Sequence, residues 1–285
     1  VEPFEFPRYA DSLVADYISS NTRILGSSAP LYFQGGNILI GDDFFLVGSD
    51  YPRRTLDYVG KQILPGEGET SEELVRRLYK EFLDHKRAIH YVGTATTVPT
   101  EESVSIDVEG ETWSEIRYYG NAEGTKQPIF HIDMFITPAG RSESGDFQLL
   151  VGDPAAAARL IDMPLPDHAM QSSFDEIAED LLGLGFEVIR NPLPLIYMDD
   201  PFRRTRLWYF ATSNNALVQN GPETESRVWL PEYGFGNWQV LSKTDEANAQ
   251  IWRRLGYDVS KMGDFHLFAE RRGSLHCITK FLQRS

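Results

Sequence analysis

The chain has one cysteine, Cys277, in the segment Gly273-Ser274-Leu275-His276-Cys277-Ile278-Thr279 near its C-terminal end. A lone thiol is a small buried residue, an accident of sequence or a nucleophile. One cysteine also excludes an internal disulfide framework and a cysteine-rich zinc site. A thiol beside an imidazole ionises near neutral pH, and the thiolate is the form that attacks. If Cys277 opens a β-branched strand after the glycine turn, His276 points to the opposite face and is a poor base for it. The better base is His131, in the run His131-Ile132-Asp133-Met134-Phe135. On a strand, residues 131 and 133 share a face. An imidazole and a carboxylate there are either a satisfied polar pair at a sheet end or part of a site, because an unpaired buried charge is costly. Gly35-Gly36, in Phe33-Gln34-Gly35-Gly36-Asn37, is either a plain turn or a place where backbone approaches a ligand closely.

Short strands and amphipathic helices have to position these groups. Residues 37–47 read as two strands joined by the polar turn Gly41-Asp42-Asp43. Residues 71–83 read as a helix capped by Ser71, with Leu74, Leu78 and Phe82 on one face. Strands are expected over 87–92, 130–137 and 147–151, the last two flanking a loop over 138–146. A helix over 173–182, with Ser173 and Glu176 at capping-box spacing, stops at Gly183 and Gly185 and leads into a strand over 186–190. A further helix over 243–255 ends at Gly256. Gly185-Phe186-Glu187-Val188 and Gly256-Tyr257-Asp258-Val259 repeat one cassette, and Phe45-Leu46-Val47-Gly48-Ser49-Asp50 is echoed by Leu149-Leu150-Val151-Gly152-Asp153. These faint repeats fit a strand-strand-helix-strand module used several times and arranged radially, or a plain α/β sheet with chance likeness.

Composition narrows the partners. At 285 residues and 41% hydrophobic, the chain has ample core for one large domain or two small ones. A net charge of −15 disfavours nucleic acid as a partner and draws cations in. The cluster Arg203-Arg204-Thr205-Arg206 is either a solvated loop or a holder for a ligand carboxylate. No apolar run is long enough to span a membrane. The start, Val1-Glu2-Pro3-Phe4, has no Met and does not read as a signal peptide, so the natural N-terminus is expected to lie upstream. A lone cysteine fits a reducing cytoplasm and is compatible with an exported mature form.

In order along the chain, Gly-Gly-Asn before a strand, His-x-Asp, and Gly-x-x-His-Cys-x-Thr resemble the pentein superfamily of guanidine-modifying enzymes. The C-terminal run, Gly273 to Thr279, is similar to that of agmatine deiminases. His131-Ile132-Asp133 followed by Phe135, with Leu275-His276-Cys277, also resembles bacterial peptidylarginine deiminases. Ser213-Asn214-Asn215-Ala216-Leu217 resembles the Asn-containing segment near the substrate in that family, and Tyr257-Asp258-Val259 fits too. The likeness runs from residue 10 to 285.

It implies an α/β propeller of strand-strand-helix-strand modules around a central active site. Residues 1–285 would form one catalytic domain lacking part of the N-terminal module. It also implies a metal-free, cofactor-free cysteine hydrolase, a deiminase that turns an arginine-like, agmatine-like or peptidylarginine guanidinium into the ureido product and ammonia. In that scheme Cys277 is the nucleophile, His131 the acid and base, and Asp133 holds the guanidinium. Gln34, Gly36, Asn37 and Asn215 line the substrate. Two departures stand out. Gln34 occupies the place where many members carry Glu, and no upstream guanidinium-binding Asp matches, Asp11 being the nearest acid. An amidinotransferase with the same Cys and His, or a non-catalytic binding protein of the same fold, are the alternatives.

Overall fold

The computed structural model describes residues 13–25, 29–32, 34–59, 63–221 and 224–279. Asp11, Phe33 and residues 280–285 lie outside the described residues. The chain divides into two compact units, residues 1–31 with 55–85, and residues 32–54 with 86–285. The first holds α1 (Leu13–Asn21), the C-terminal part of α2 (Asp50–Val59) and α3 (Ser71–Phe82). Helix α3 starts one residue earlier than its sequence suggests. Thr70 is the N-cap and forms a reciprocal capping box with Glu73, leaving Ser71 inside the first turn. Its buried stripe is Leu74, Val75, Leu78 and Tyr79, and Phe82 is exposed at the C-terminal end.

The second unit is built from small sheets. β1 (Ile38–Ile40) and β2 (Phe44–Gly48) form a hairpin, and β3 (Ala88–Val92) adds parallel to β2. A second hairpin, β4 (Glu102–Val108) with β5 (Glu111–Arg117), begins a separate sheet. Then β6 (Ile136–Arg141) pairs antiparallel with β7 (Phe147–Asp153). α4 (Pro154–Ile161) and α5 (Gln171–Gly183) follow, and β8 (Glu187–Pro192) returns parallel to β7. β9 (Leu195–Asp200) and β10 (Thr205–Phe210) form a hairpin whose β10 lies parallel to β5, completing the order β4-β5-β10-β9. Last come β11 (Leu217–Gly221), β12 (Thr224–Glu232), α6 (Ser242–Arg254) and β13 (Asp258–Asp264), again antiparallel and then parallel.

Three sheets therefore share one strand-strand-helix-strand pattern, which explains the sequence repeats. The two Val-Gly-(Ser)-Asp endings are where a strand passes into a helix: Asp50 opens α2, and Asp153 N-caps α4 by accepting the Ala156 N–H at 2.9 Å. Gly185 and Gly256 sit at φ of +93° and +85° just beyond α5 and α6, in the left-handed region where a helix stops. The architecture is mixed α/β with several small, open sheets.

Four further local expectations fail. Residues 130–137 are not one strand, since His131 is extended but Ile132–Met134 form a 3-10 turn and β6 starts only at Ile136. β6 then continues through Arg141, into the expected loop. Helix α5 starts at Gln171 after a left-handed Met170, so Ser173 and Glu176 lie inside it; Glu176 instead accepts the Ala95 N–H at 2.6 Å. Cys277 opens no strand: His276–Ile278 is another 3-10 turn.

The largest core packs Phe44, Leu46, Ile132, Phe135, Leu149 and Phe174 together. Ile132, Met134 and Phe135 sink into it, which leaves His131 and Asp133 to emerge at its edge.

Candidate active site

Asp133 is the centre of a cluster drawn from three distant segments. Its side chain is 3% exposed. One carboxylate oxygen, Oδ2, accepts from Asn215 Nδ2 at 2.8 Å and from His276 Nδ1 at 2.8 Å, with Cys277 Sγ at 3.8 Å. The other, Oδ1, is buried with no hydrogen-bond partner. An unmatched buried carboxylate oxygen leaves about 1–3 kcal/mol of desolvation uncompensated, more when charged. It is an acceptor waiting for a donor.

Asn215, fully buried, builds the cysteine's seat. Its Nδ2 donates to Cys277 Sγ at 3.3 Å, its Oδ1 accepts the Cys277 N–H at 3.2 Å, and its carbonyl accepts the His276 N–H at 3.0 Å. The 3-10 turn that this clamp holds is why His276 and Cys277 both face Asp133. Strand alternation had set His276 aside; three residues per turn remove that alternation. Tyr233 anchors the turn's approach, its hydroxyl bonding Ser274 Oγ at 2.9 Å and donating to the Thr212 carbonyl at 3.1 Å.

His131, 7% exposed, is oriented from behind. Its Nε2 meets Gln34 Oε1 at 2.8 Å and the Tyr51 hydroxyl at 3.1 Å. An amide oxygen accepts only, so Nε2 carries the proton of the bond to Gln34. Nδ1 faces Gly36: a Cβ at residue 36 would lie 2.7 Å from it and 2.8 and 2.9 Å from the Asp133 oxygens. The Gly-Gly segment is thus a close backbone approach, not a plain turn. Phe130 covers the ring, with centroids 4.3 Å apart.

Asn37 is a structural tether. Its Oδ1 accepts the Ile132 N–H at 2.9 Å and Gln127 Nε2 at 2.8 Å, tying the glycine turn to the segment that carries His131. Gly35 has nothing within 4 Å of its would-be Cβ. Tyr51 and Gln127 were invisible as site residues in the sequence, although Tyr51 follows the repeated strand ending at Asp50.

The electrostatics differ from the simplest expectation for a reactive cysteine. Cys277 keeps an exposed surface. Protein nonetheless crowds its sulfur, and this desolvation, followed by the Asp133 charge, pushes the thiol up to about 12. The Ser274 backbone and the Asn215 amide act the other way. At neutral pH the unliganded site holds a protonated thiol.

Arg203, Arg204 and Arg206 are partners of the chain's own acids. Arg206 lies on Asp199 at 2.7 Å and over the Tyr197 ring at 3.8 Å; Arg204 meets Glu111 at 3.1 Å, and Arg203 meets Asp200 at 3.9 Å. Among the described residues no group of three or more His, Cys, Asp or Glu side chains is arranged to hold a metal, and no helix is long and apolar enough to cross a membrane.

Among solved structures, the chain is similar to the C. jejuni agmatine deiminase, at 14% identity and a TM-score of 0.56 over 94% of this chain. The fold resembles that of agmatine deiminases. The chain is also similar to a structural-genomics target named as a "putative agmatine deiminase", at 14% identity and a TM-score of 0.57 over 94% of this chain. The chain spans 60% and 61% of the length of those two proteins. No protein-family model and no curated protein matches the sequence.

Proposed function

We propose that the chain is a cysteine-dependent guanidinium hydrolase, a pentein-type deiminase that releases ammonia and a ureido product. In this reading the three strand-strand-helix-strand sheets and the four-stranded sheet are modules of an α/β propeller, and residues 1–285 belong to one catalytic domain. The observation that carries it is the partnerless Asp133 Oδ1, buried beside a thiol and an imidazole. Such an oxygen calls for a cationic N–H donor, and a guanidinium supplies several in one plane.

A guanidinium stays protonated below a pH of roughly 12, so its carbon resists water and needs a stronger nucleophile. Seated on Asp133, the cation cancels the carboxylate charge that adds to desolvation in holding the Cys277 thiol up, and brings a positive charge beside the sulfur; the thiol then yields its proton to His131 Nδ1. The thiolate attacks the guanidinium carbon and forms a C–S bond. The His131 imidazolium returns the proton to the leaving nitrogen, and the C–N bond breaks with loss of ammonia. His131 then takes a proton from water, whose oxygen attacks the thiouronium carbon, and the C–S bond breaks to give the urea. Acid–base help of this kind contributes about 10² to 10⁴ in rate. Asn215 holds Cys277 and Asp133 in register, and Gln34 and Tyr51 fix the His131 tautomer.

Ammonia release from arginine, agmatine and a peptidyl arginine, with no amine acceptor added, tests the proposal. The Cys277→Ser variant should lose turnover with its fold intact, and His131→Ala should lose it with partial rescue by added imidazole. A serine variant of comparable rate would sink the mechanism.

A further inference from the structure

The four-stranded sheet ends in an uncovered edge. β4 is its outermost strand and pairs only with β5, in the order β4-β5-β10-β9. The hairpin closes through Glu109 and Gly110, at φ of +54° and +84°, the left-handed pair of a tight two-residue turn. All 7 residues of β4 pair with β5 in an unbroken register. Ser114 shows which of them face outward. Its N–H goes to the Arg204 carbonyl at 2.9 Å, on the β10 side, so its partner Ser105 is not hydrogen-bonded to β5. Bonded and non-bonded pairs alternate along an antiparallel ladder. The N–H and C=O groups of Ser103, Ser105 and Asp107 therefore point to the free edge, where no described residue bonds to them.

Edges of this kind are normally blocked by a lysine, a proline, a bulge or a covering segment. β4 contains none of the first three. At the opposite edge of the sheet Trp238 lies against β9, its Nε1 donating to the Tyr197 carbonyl at 3.0 Å. Along β4, Ser103, Ser105 and Asp107 are exposed, while Val104, Ile106 and Val108 are half-buried on the face that carries Trp113.

This strand is complementary to itself. In an antiparallel pair of two copies centred on Ser105, Ser105 meets Ser105, Ser103 meets Asp107, Val104 meets Ile106, and Glu102 meets Val108. Every outward N–H and C=O then finds a partner, and no carboxylate stands opposite another. Asp107 Oδ1 accepts the Gly110 N–H at 3.1 Å, which leaves Oδ2 for the Ser103 hydroxyl of the second copy. Centring the pair on Ser103 would engage less of the strand, and centring it on Asp107 would set two carboxylates face to face. We propose that β4 is a dimerisation edge: a second copy of this chain adds its own β4 antiparallel about Ser105, joining the two sheets across a two-fold axis. This goes beyond the proposed reaction and does not depend on it. A strand pair buries less than a standard interface, so the dimer forms reversibly at about 10 to 500 µM chain.

Sedimentation equilibrium of the full chain over that range should show a reversible monomer–dimer. Amide exchange at Ser103, Ser105 and Asp107 should slow as concentration rises, while Val104 and Ile106, already bonded to β5, should not change. Ser105→Pro removes only an outward N–H. It should raise the dimer Kd by at least about 10-fold, because both bonds of the central pair are lost. Unchanged exchange at Val104 and Ile106 shows that the hairpin survives the substitution. Cross-linking reads the register without a proline. In a Cys277→Ser background, Ser105→Cys should oxidise to a disulfide-linked dimer, its Cα atoms about 5.5 Å apart across the axis. Asp107→Cys should not, since the two copies of residue 107 stand about 14 Å apart along the strands. A folded chain that stays monomeric to about 500 µM overturns the proposal. So does a dimer indifferent to Ser105→Pro, or equal cross-linking at 105 and 107. Protection of the Ser105 amide that persists on dilution would give the edge to a segment of the same chain, and overturns it too.

Discussion

A single missing methyl group decides whether the cluster can exist. A Cβ at residue 36 would fall under 3 Å from His131 Nδ1 and from both Asp133 oxygens, and those side chains are packed too tightly to move aside. Gly36→Ala should therefore cut kcat/KM for a guanidine by at least about 100-fold, with circular dichroism unchanged, as a displacement of reacting groups by an ångström does. The thiol makes a second prediction at this scale. Its pKa is raised by burial and by Asp133, so the thiolate form appears only as pH climbs toward about 12. Alkylation of Cys277 by iodoacetamide should rise steeply above neutrality without levelling off near 8.5. A saturating guanidinium ligand that does not block the sulfur should move the profile to lower pH. A profile already level at pH 9 in the unliganded chain would contradict the assigned environment. His276 belongs to the same scale: its bond to Asp133 followed from a turn geometry that residue types alone did not reveal.

Element boundaries follow from which hydroxyl wins the cap. At α3, Thr70 and Ser71 are adjacent candidates, and Thr70 takes the role because its hydroxyl reaches the Glu73 N–H while Glu73 reaches back to the Thr70 N–H. Thr70→Ala should lower stability by about 1 kcal/mol in urea unfolding, whereas Ser71→Ala should be near neutral. The reverse ranking would restore the boundary that spacing suggested. The same lesson holds at α5, where a left-handed Met170 turns the chain so that Ser173 falls inside the helix. Periodicity located α3, α5 and α6 and the strands around the repeats. It missed the His131 and Cys277 segments because a three-residue 3-10 turn has no repeat long enough to register.

On the scale of the whole molecule, a buried acid links stability to pH. Asp245 accepts the Tyr233 and Gly234 N–H groups at 2.9 and 2.7 Å, but desolvation outweighs these bonds and raises its pKa to about 6. The folded state thus favours the protonated carboxyl. Its contribution is fully present below the unfolded value of 3.8 and is lost as pH rises through about 6, amounting to roughly 3 kcal/mol in all. Asp245→Asn keeps an acceptor for both N–H groups and cannot ionise. Its unfolding free energy should change less than that of the parent chain between pH 5 and 7.5, and parallel curves would remove Asp245 from the account.

Residue types and order sufficed to single out Cys277, His131, Asp133 and the Gly-Gly segment as candidates, because each is chemically unusual where it stands: a sole thiol, an imidazole and a carboxylate in an apolar run, paired glycines before a strand; Asn215 entered only through the family resemblance. Repeats along the chain suggested the strand-strand-helix-strand pattern, because local periodicity records each element's buried face, but left a plain α/β sheet equally open until strand pairing decided it. Only the folded chain decided that Asn37 is a tether, that Asn215 clamps the cysteine turn, that Oδ1 of Asp133 has no partner, and that β4 stands at the edge of its sheet. Those facts depend on approaches between segments far apart in sequence. Distances of that kind are set by tertiary packing, and no linear spacing encodes them.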